Sequence, residues 1–386
     1  MASRVIFSNC SYDLCAVRAT VHEIFERIGA LRIQTGTRVL IKPNFLAPAA
    51  PERAMTTHPW VVRAAAEYVL ERGGRVLVAD SPGMGRFDRL LRDGGYADAL
   101  KGLDVELRPF KDSVPVDIGE PFGRVEIARE AIEAEVVVNL PKLKTHAQML
   151  LTLGVKNLFG CVVGLKKPEW HMRSGVDRQL FARLLVQIHR AVDPAVTLID
   201  GIVGMEGHGP GRSGTPRHFG VLVGSASATA TDAAICRFLG LPPEQLPTHR
   251  AAAELGWAPK ELNLLGDFVP ASGVRLPVLA PLTFGPRRMH RLMRQHLIQR
   301  HTADPHLCRM CGECWRVCPA TAITPRAGRI GFDYDRCIRC YCCIEMCPHG
   351  ALEAVETGPG RFVRKLAGLR DHVAVRIGNR RRLIPP

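Results

Sequence analysis

Short, unbroken apolar runs alternate with stretches of helical periodicity over roughly the first 280 residues. Val39-Leu40-Ile41 precedes a helix-like stretch from Trp60 to Glu71. Val76-Leu77-Val78-Ala79 precedes a second amphipathic stretch near Phe87 to Leu91. Val136-Val137-Val138 and Val196-Thr197-Leu198-Ile199 continue the pattern, with a helix expected between them from Asp177 to Ala191. A strand that is apolar at every position is buried on both faces, and helices between such strands carry the chain back for parallel pairing. The pattern predicts an α/β fold, a mostly parallel sheet flanked by helices. Proline and glycine cluster between Pro270 and Pro286, which ends this large domain at about residue 284. Residues 285–302 read as a basic linker helix, 303–357 as a small cysteine-rich α+β domain and 358–386 as a basic tail.

The cysteine-rich segment contains the only internal repeat. Its halves read Cys308-Arg-Met-Cys311-Gly-Glu-Cys314-Trp-Arg-Val-Cys318-Pro319 and Cys337-Ile-Arg-Cys340-Tyr-Cys-Cys343-Ile-Glu-Met-Cys347-Pro348. Both are C-x2-C-x2-C-x3-C-P, in which three closely spaced thiolates wrap one cubane and the fourth ligates the other. Cluster 1 is thus expected on Cys308, Cys311, Cys314 and Cys347, and cluster 2 on Cys337, Cys340, Cys343 and Cys318. Structural zinc would need only two C-x2-C pairs across a longer gap. The segment resembles the two-cluster bacterial ferredoxins over about 50 residues, which implies two [4Fe–4S] clusters. Cys342 has no place in the pattern and reads as a bystander.

Composition adds boundaries. Hydrophobic residues make up 46% of the 386 and charged residues 23%, as in ordinary globular proteins. The start carries no basic stretch followed by an apolar run, and no segment reaches the roughly 18 uninterrupted apolar residues of a membrane span. A cytoplasmic protein is the expectation. Thirteen cysteines suit a reducing compartment once eight are metal ligands. The net charge of +15 is concentrated in Arg287, Arg288, Arg291, Arg294 and Arg300 and in the tail from Arg361 to Arg382. Such surfaces attract acidic partners or anionic molecules. No aromatic residues interleave with these arginines and no nucleic-acid motif is present, which disfavours nucleic acid.

Polar residues gather where the apolar runs end. Lys42-Pro43-Asn44 follows Ile41, Asp80-Ser81-Pro82-Gly83 follows Ala79, Asn139-Leu140-Pro141-Lys142 with Lys144, Thr145 and His146 follows Val138, and Asp200-Gly201 follows Ile199. Open α/β sheets bind ligands at the carboxyl ends of their strands, so the four endings are expected to converge on one crevice. Lys42, Lys142, Lys144 and Lys156 are candidates to hold a carboxylate or phosphate, together with Asn44, Asp80, Ser81, Thr145, Asn157 and Asp200. His146, His58, Lys144 and Glu206 are the candidate catalytic groups, and His171 is a further proton donor or metal ligand. Glu206 sits in Gly204-Met205-Glu206-Gly207-His208-Gly209-Pro210-Gly211, a loop whose backbone could approach a ligand closely.

These endings, with Thr57-His58-Pro59, Lys156-Asn157-Leu158-Phe159-Gly160 and Asp200-Gly201-Ile202-Val203-Gly204-Met205-Glu206-Gly207, resemble in order the signatures of domain of unknown function 362. The resemblance covers roughly residues 1 to 250 and implies a redox-linked protein, because members of that family often bear a ferredoxin-like module. Ala230-Thr231-Asp232-Ala233 keeps the acidic position of a later block, whereas Ser225-Ala226-Ser227 departs from the usual acidic-proline pattern. Cofactor motifs of other kinds fail. Gly83-Met84-Gly85 has Asp88 where a third glycine belongs, and Gly160 to Lys166 lacks the Gly-Lys-Ser/Thr ending of a phosphate loop. The expected function is an iron–sulfur reductase that takes electrons from a partner ferredoxin or reductase to a small, anionic, unsaturated substrate in the crevice. Two alternatives stand beside it: a non-catalytic carrier that docks a partner enzyme, and a crevice holding its own metal or organic cofactor.

Overall fold

The computed structural model describes residues 2–83, 85–164, 166–174, 177–277, 279, 296, 299–326, 328–355, 357–359 and 361–362. The strands are β1 (Ser3–Asn9), β2 (Arg38–Pro43), β3 (Arg75–Asp80), β4 (Val105–Pro109), β5 (Ser113–Asp117), β6 (Arg124–Ala128), β7 (Val136–Leu140), β8 (Lys142–His146), β9 (Leu150–Thr152), β10 (Val196–Gly207), β11 (Gly214–Ser225), β12 (Leu262–Gly266), β13 (Arg300–Ala303), β14 (Ile323–Arg326), β15 (Arg329–Phe332) and β16 (Leu352–Val355).

The large sheet runs β12-β1-β11-β10-β7-β2-β3-β4, and β8 and β9 attach through β10. The four apolar runs of the sequence are the adjacent central strands β10, β7, β2 and β3, all parallel. Antiparallel pairing enters only where β11 meets β10 and β1 and where β9 meets β8. The α/β expectation is met.

Alternation along the central strands supplies two cores. Val39, Ile41, Val136 and Val138 face the helices Leu14–Ile28 and Pro59–Leu70, while Leu40 and Val137 face the helix Arg178–Val192. Successive strand side chains point to opposite faces, so every apolar position is used. Asp13 and Asp177 cap the first and last of these helices by accepting the amides of Ala16 and Leu180.

The cysteine module begins earlier than residue 303. Residues 300–302, assigned above to the end of a linking helix, form strand β13 with Ala303, and β13 pairs with β16 to close the module. Alternating burial, with His301 at 1% exposure, favours the extended conformation there. The arginines at 287, 288, 291 and 294 and the tail beyond 362 lie outside the described residues.

Candidate functional site

Strand β8 is the axis of the site. Lys142, Lys144 and His146 alternate along it and share one face, and all three are buried. Each finds a different partner. Lys142 Nζ stands 2.7 Å from Asp200 Oδ2 and 2.5 Å from the Tyr12 hydroxyl. Asp200 also accepts the Tyr12 hydroxyl at 2.7 Å and the His58 amide at 2.8 Å, and the Tyr12 and His58 rings stack 3.7 Å apart. His58 Nδ1 accepts the Trp60 amide at the start of the helix Pro59–Leu70, and burial lowers His58 to about 4. The charged groups of this cluster are paired with one another.

Lys144 lies one step further along. Its Nζ donates to Asn44 Oδ1 at 2.6 Å and to the Met55 carbonyl at 2.7 Å. Asn44 Nδ2 donates to Asn157 Oδ1, and Asn157 Nδ2 donates to Asn139 Oδ1, so a chain of amides ties Lys144 to the end of β7. Lys42 pairs with Asp80 at 2.9 Å, both nearly without exposure, and Gly160 packs over the pair where a Cβ would collide.

A cavity of about 640 Å³ opens above these strand ends. Asn44, Asp80, Ser81, Lys144, Lys156 and Asn157 line it from the large domain, as the sequence led us to expect, and are joined by Thr152, Lys167 and His171. The opposite wall belongs to the cysteine module: Arg316, Cys318, Cys342, Glu345 and Met346. The crevice is therefore an interdomain cavity.

Several expected residues stand elsewhere. Lys142, Asp200 and His58 form the paired cluster, and Lys42 is spent on Asp80. Thr145 points to the other face of β8. Glu206 is held by Arg217 at 2.9 Å and Arg275 at 2.7 Å, away from the cavity. Its glycine-rich loop places Pro210 on the cavity wall and packs against the cysteine module: a Cβ on Gly211 would lie 3.0 Å from the Glu345 carbonyl, and Ser213 Oγ bonds the Leu352 carbonyl at 3.0 Å.

His146 reaches the cavity only through Glu345. Its Nδ1 receives the amides of Gln148 and Met149 at 3.1 and 3.2 Å, so the proton of the neutral ring sits on Nε2. Nε2 stands 2.8 Å from Glu345 Oε1, at ion-pair distance but out of line for a good hydrogen bond. Burial, assisted by the charge of Lys156, lowers His146 to about 4. Burial alone would raise Glu345, but His146 and Lys156 hold it down to about 2. Burial also lowers Lys144, Lys156 and Lys167, the last to about 8, and lowers His171 to about 3.

The two histidines carry a pH prediction. His146 and His171 are neutral when folded, whereas in the unfolded chain they titrate near 6.5. Below that value the unfolded state binds more protons, so the contribution of these histidines to stability is flat above about pH 7 and falls toward pH 4. Each contributes a loss approaching about 1.4 kcal/mol per pH unit. Urea midpoints should drop between about pH 7 and about pH 5, and His171→Phe should make the drop shallower. An unchanged slope in that variant would remove His171 from the account.

The eight cysteines of the repeat lie in two groups. Cys308, Cys311, Cys314 and Cys347 line one small cavity, and Cys318 falls among Cys337, Cys340 and Cys343. None is in a disulfide. Among the described residues no three His, Cys, Asp or Glu side chains could share one metal ion. A cubane is ligated at its corners, so its thiolates stand further apart than those around a single ion, and each group of four could hold one. The amides of Ala322 and Ala351 point at Cys318 Sγ and Cys347 Sγ, both at 3.3 Å, as donors to ligating sulfur do. The two halves repeat in backbone as well: Met310 and Arg339, and Gly312 and Tyr341, occupy equivalent positions with positive φ.

Known proteins agree with this division. Residues 39–237 match the family described as domain of unknown function (DUF362), and residues 300–348 match the 4Fe-4S dicluster domain. The thylakoid-associated protein sll1697 of Synechocystis is 36% identical over 303 residues, 76% of this chain and 94% of that protein. The electron transport protein HydN of Escherichia coli is 36% identical over 80 residues, 20% of this chain and 42% of its own. Ferredoxin-1 of Rhodobacter capsulatus is 46% identical over 37 residues, 10% of this chain and 57% of its own. Among solved structures, the lactate racemase apoprotein of Thermoanaerobacterium thermosaccharolyticum aligns with a TM-score of 0.40 at 15% identity, covering 62% of this chain and 56% of that one. No helix among the described residues is long and apolar enough to cross a membrane. The chain therefore belongs to the DUF362 family and carries a C-terminal ferredoxin-like iron–sulfur module.

Proposed function

We propose that this protein is an iron–sulfur reductase whose substrate, a small anion with a reducible unsaturated bond, binds in the interdomain cavity. One observation carries the reading: Cys318 and Glu345 of the module and Lys144, Lys156 and His171 of the large domain line the same cavity. Two [4Fe–4S] clusters on the two groups of four cysteines would supply electrons one at a time at low potential. The residues around the groups differ in a way that supports a direction. Cys311 of the first group is exposed beside Leu307 and Arg309, a face open to an electron-donating ferredoxin or reductase. Cys318 of the second group faces the cavity. Lys144 and Lys156 bind the anionic end of the substrate, and Asn44 and Asn157 fix the lysines' approach. Glu345 borders the substrate, and His146 acts as a positioning residue behind it. A cytoplasmic setting, reducing enough to keep the thiolates intact, fits this role.

The test is anaerobic reduction of the full chain followed by mixing with candidate unsaturated acids. Substrate-dependent reoxidation is expected, and a chain reoxidised only by partner proteins would favour the carrier role. His146→Leu should lower kcat by about 10–100-fold with KM unchanged, while Lys144→Met should mainly raise KM. Undiminished turnover in both variants, with normal iron content, would defeat these assignments.

A further inference from the structure

The lysines that line the cavity outnumber the carboxylates free to match them. Lys144 Nζ, on a side chain only 1% exposed, donates to two neutral oxygens, Asn44 Oδ1 and the Met55 carbonyl. Lys167 Nζ donates to the Ser81 carbonyl. Lys156 makes no hydrogen bond or ion pair among the described residues. Of the carboxylates on the same walls, Asp80 faces Lys42 at 2.9 Å and Glu169 faces Arg173 at 2.7 Å, which leaves Glu345, beside the neutral His146 at 2.8 Å, as the one negative charge set against the three lysines. Three buried polar atoms on the wall lack a hydrogen-bond partner: Glu345 Oε1, and Thr152 Oγ1 and His171 Nδ1 in side chains 4% and 6% exposed. Buried ammonium groups without counter-charge are costly, and orphaned buried polar atoms call for a partner. With Glu345 offsetting one of the three lysines, a ligand with a single carboxylate would still leave one ammonium group uncompensated.

We propose that the ligand of this cavity carries at least two negative charges, as a phosphate ester or a dicarboxylate does, with Lys156 as its anchor and Lys144 and Lys167 on either side. This rests on the reading of the cavity as the substrate site and narrows the substrate to a dianion. The orphaned Thr152 hydroxyl and His171 ring complete the contacts, as a dianion offers oxygens enough for both. Burial lowers the three lysines, and a bound anion favours their charged form, so binding takes up protons near the pH where Lys167 titrates, about 8.

The experiment is calorimetry on the full, cluster-loaded chain in its oxidised state at constant ionic strength, with inorganic phosphate, succinate and acetate as probes. Phosphate or succinate should bind at least about tenfold more tightly than acetate, with an enthalpy that depends on the buffer because protons are taken up. Lys156→Ala should weaken that binding by about tenfold or more, and the conservative Lys156→Gln should do the same if the alanine variant does not fold. Lys101→Ala, on an exposed turn, should change nothing. Preference for phosphate would identify a phosphate ester, and preference for succinate a dicarboxylate. Equal binding of all three probes, no binding of any, or dianion binding untouched by both Lys156 variants would overturn the proposal. Reoxidation of the clusters by a monoanion with no dianion binding would sink this inference and leave the reductase standing. Tight dianion binding without reoxidation by any substrate would do the reverse.

Discussion

Asp200→Ala is expected to cost about 3–5 kcal/mol of stability, the largest loss from any single substitution at the strand ends. The carboxylate is fully buried and accepts Lys142 Nζ, the Tyr12 hydroxyl and the His58 amide at 2.7–2.8 Å. Removing it leaves an ammonium group 1% exposed with no negative partner, which is the expensive half of a broken buried pair. Lys142→Met in the same chain should recover part of the loss, because the unpaired charge goes with it. Urea midpoints of the parent, single and double variants measure both effects. A single variant within about 1 kcal/mol of the parent would show that the cluster is solvated and open, and would return Asp200 and Lys142 to the list of ligand-binding candidates.

Cys318→Ser and Cys342→Ser should behave oppositely although both thiols face the cavity. Cys318 belongs to the first cysteine run in sequence but falls among Cys337, Cys340 and Cys343 in space, so its loss should lower iron from about eight to about four per chain and abolish substrate-driven turnover. Cys342 neighbours Cys343 and lies 4.0 Å from the Cys340 carbonyl, yet the four positions of its group are already filled. Its serine variant should keep full iron content. Iron and sulfide assays with the visible spectrum decide the matter, and iron loss in Cys342→Ser would mean that Cys342 and Cys343 compete for one ligand position.

The cysteine spacing is short-range geometry, which is why the iron–sulfur module was legible. Three thiolates two residues apart can only wrap one cluster, and a fourth displaced by three residues with proline after it turns toward the other. The central strands were legible for a similar reason. A run such as Val136-Val137-Val138 is apolar at both parities, and only burial on both faces accounts for that. The end of β8 was not. Lys-Leu-Lys-Thr-His reads as the polar ending of the apolar run before it, but it is a fully buried strand because partners for its charged groups arrive from Asp200, Asn44 and Glu345.

The α/β class, the polar ends of the central strands and the presence of an iron–sulfur module were legible before folding was considered, because each is written in spacing and periodicity over a few residues. Tertiary structure alone decided how the polar ends divide. Tyr12 reaches Asp200 across 188 residues, and His146 meets Glu345 from a different domain. Those pairings set which lysines are neutralised, Lys42 and Lys142, and which are left facing the cavity, Lys144, Lys156 and Lys167. Whether a buried charge is part of the scaffold or free for a ligand depends on what stands within hydrogen-bond reach of it, and that distance is a property of the folded chain.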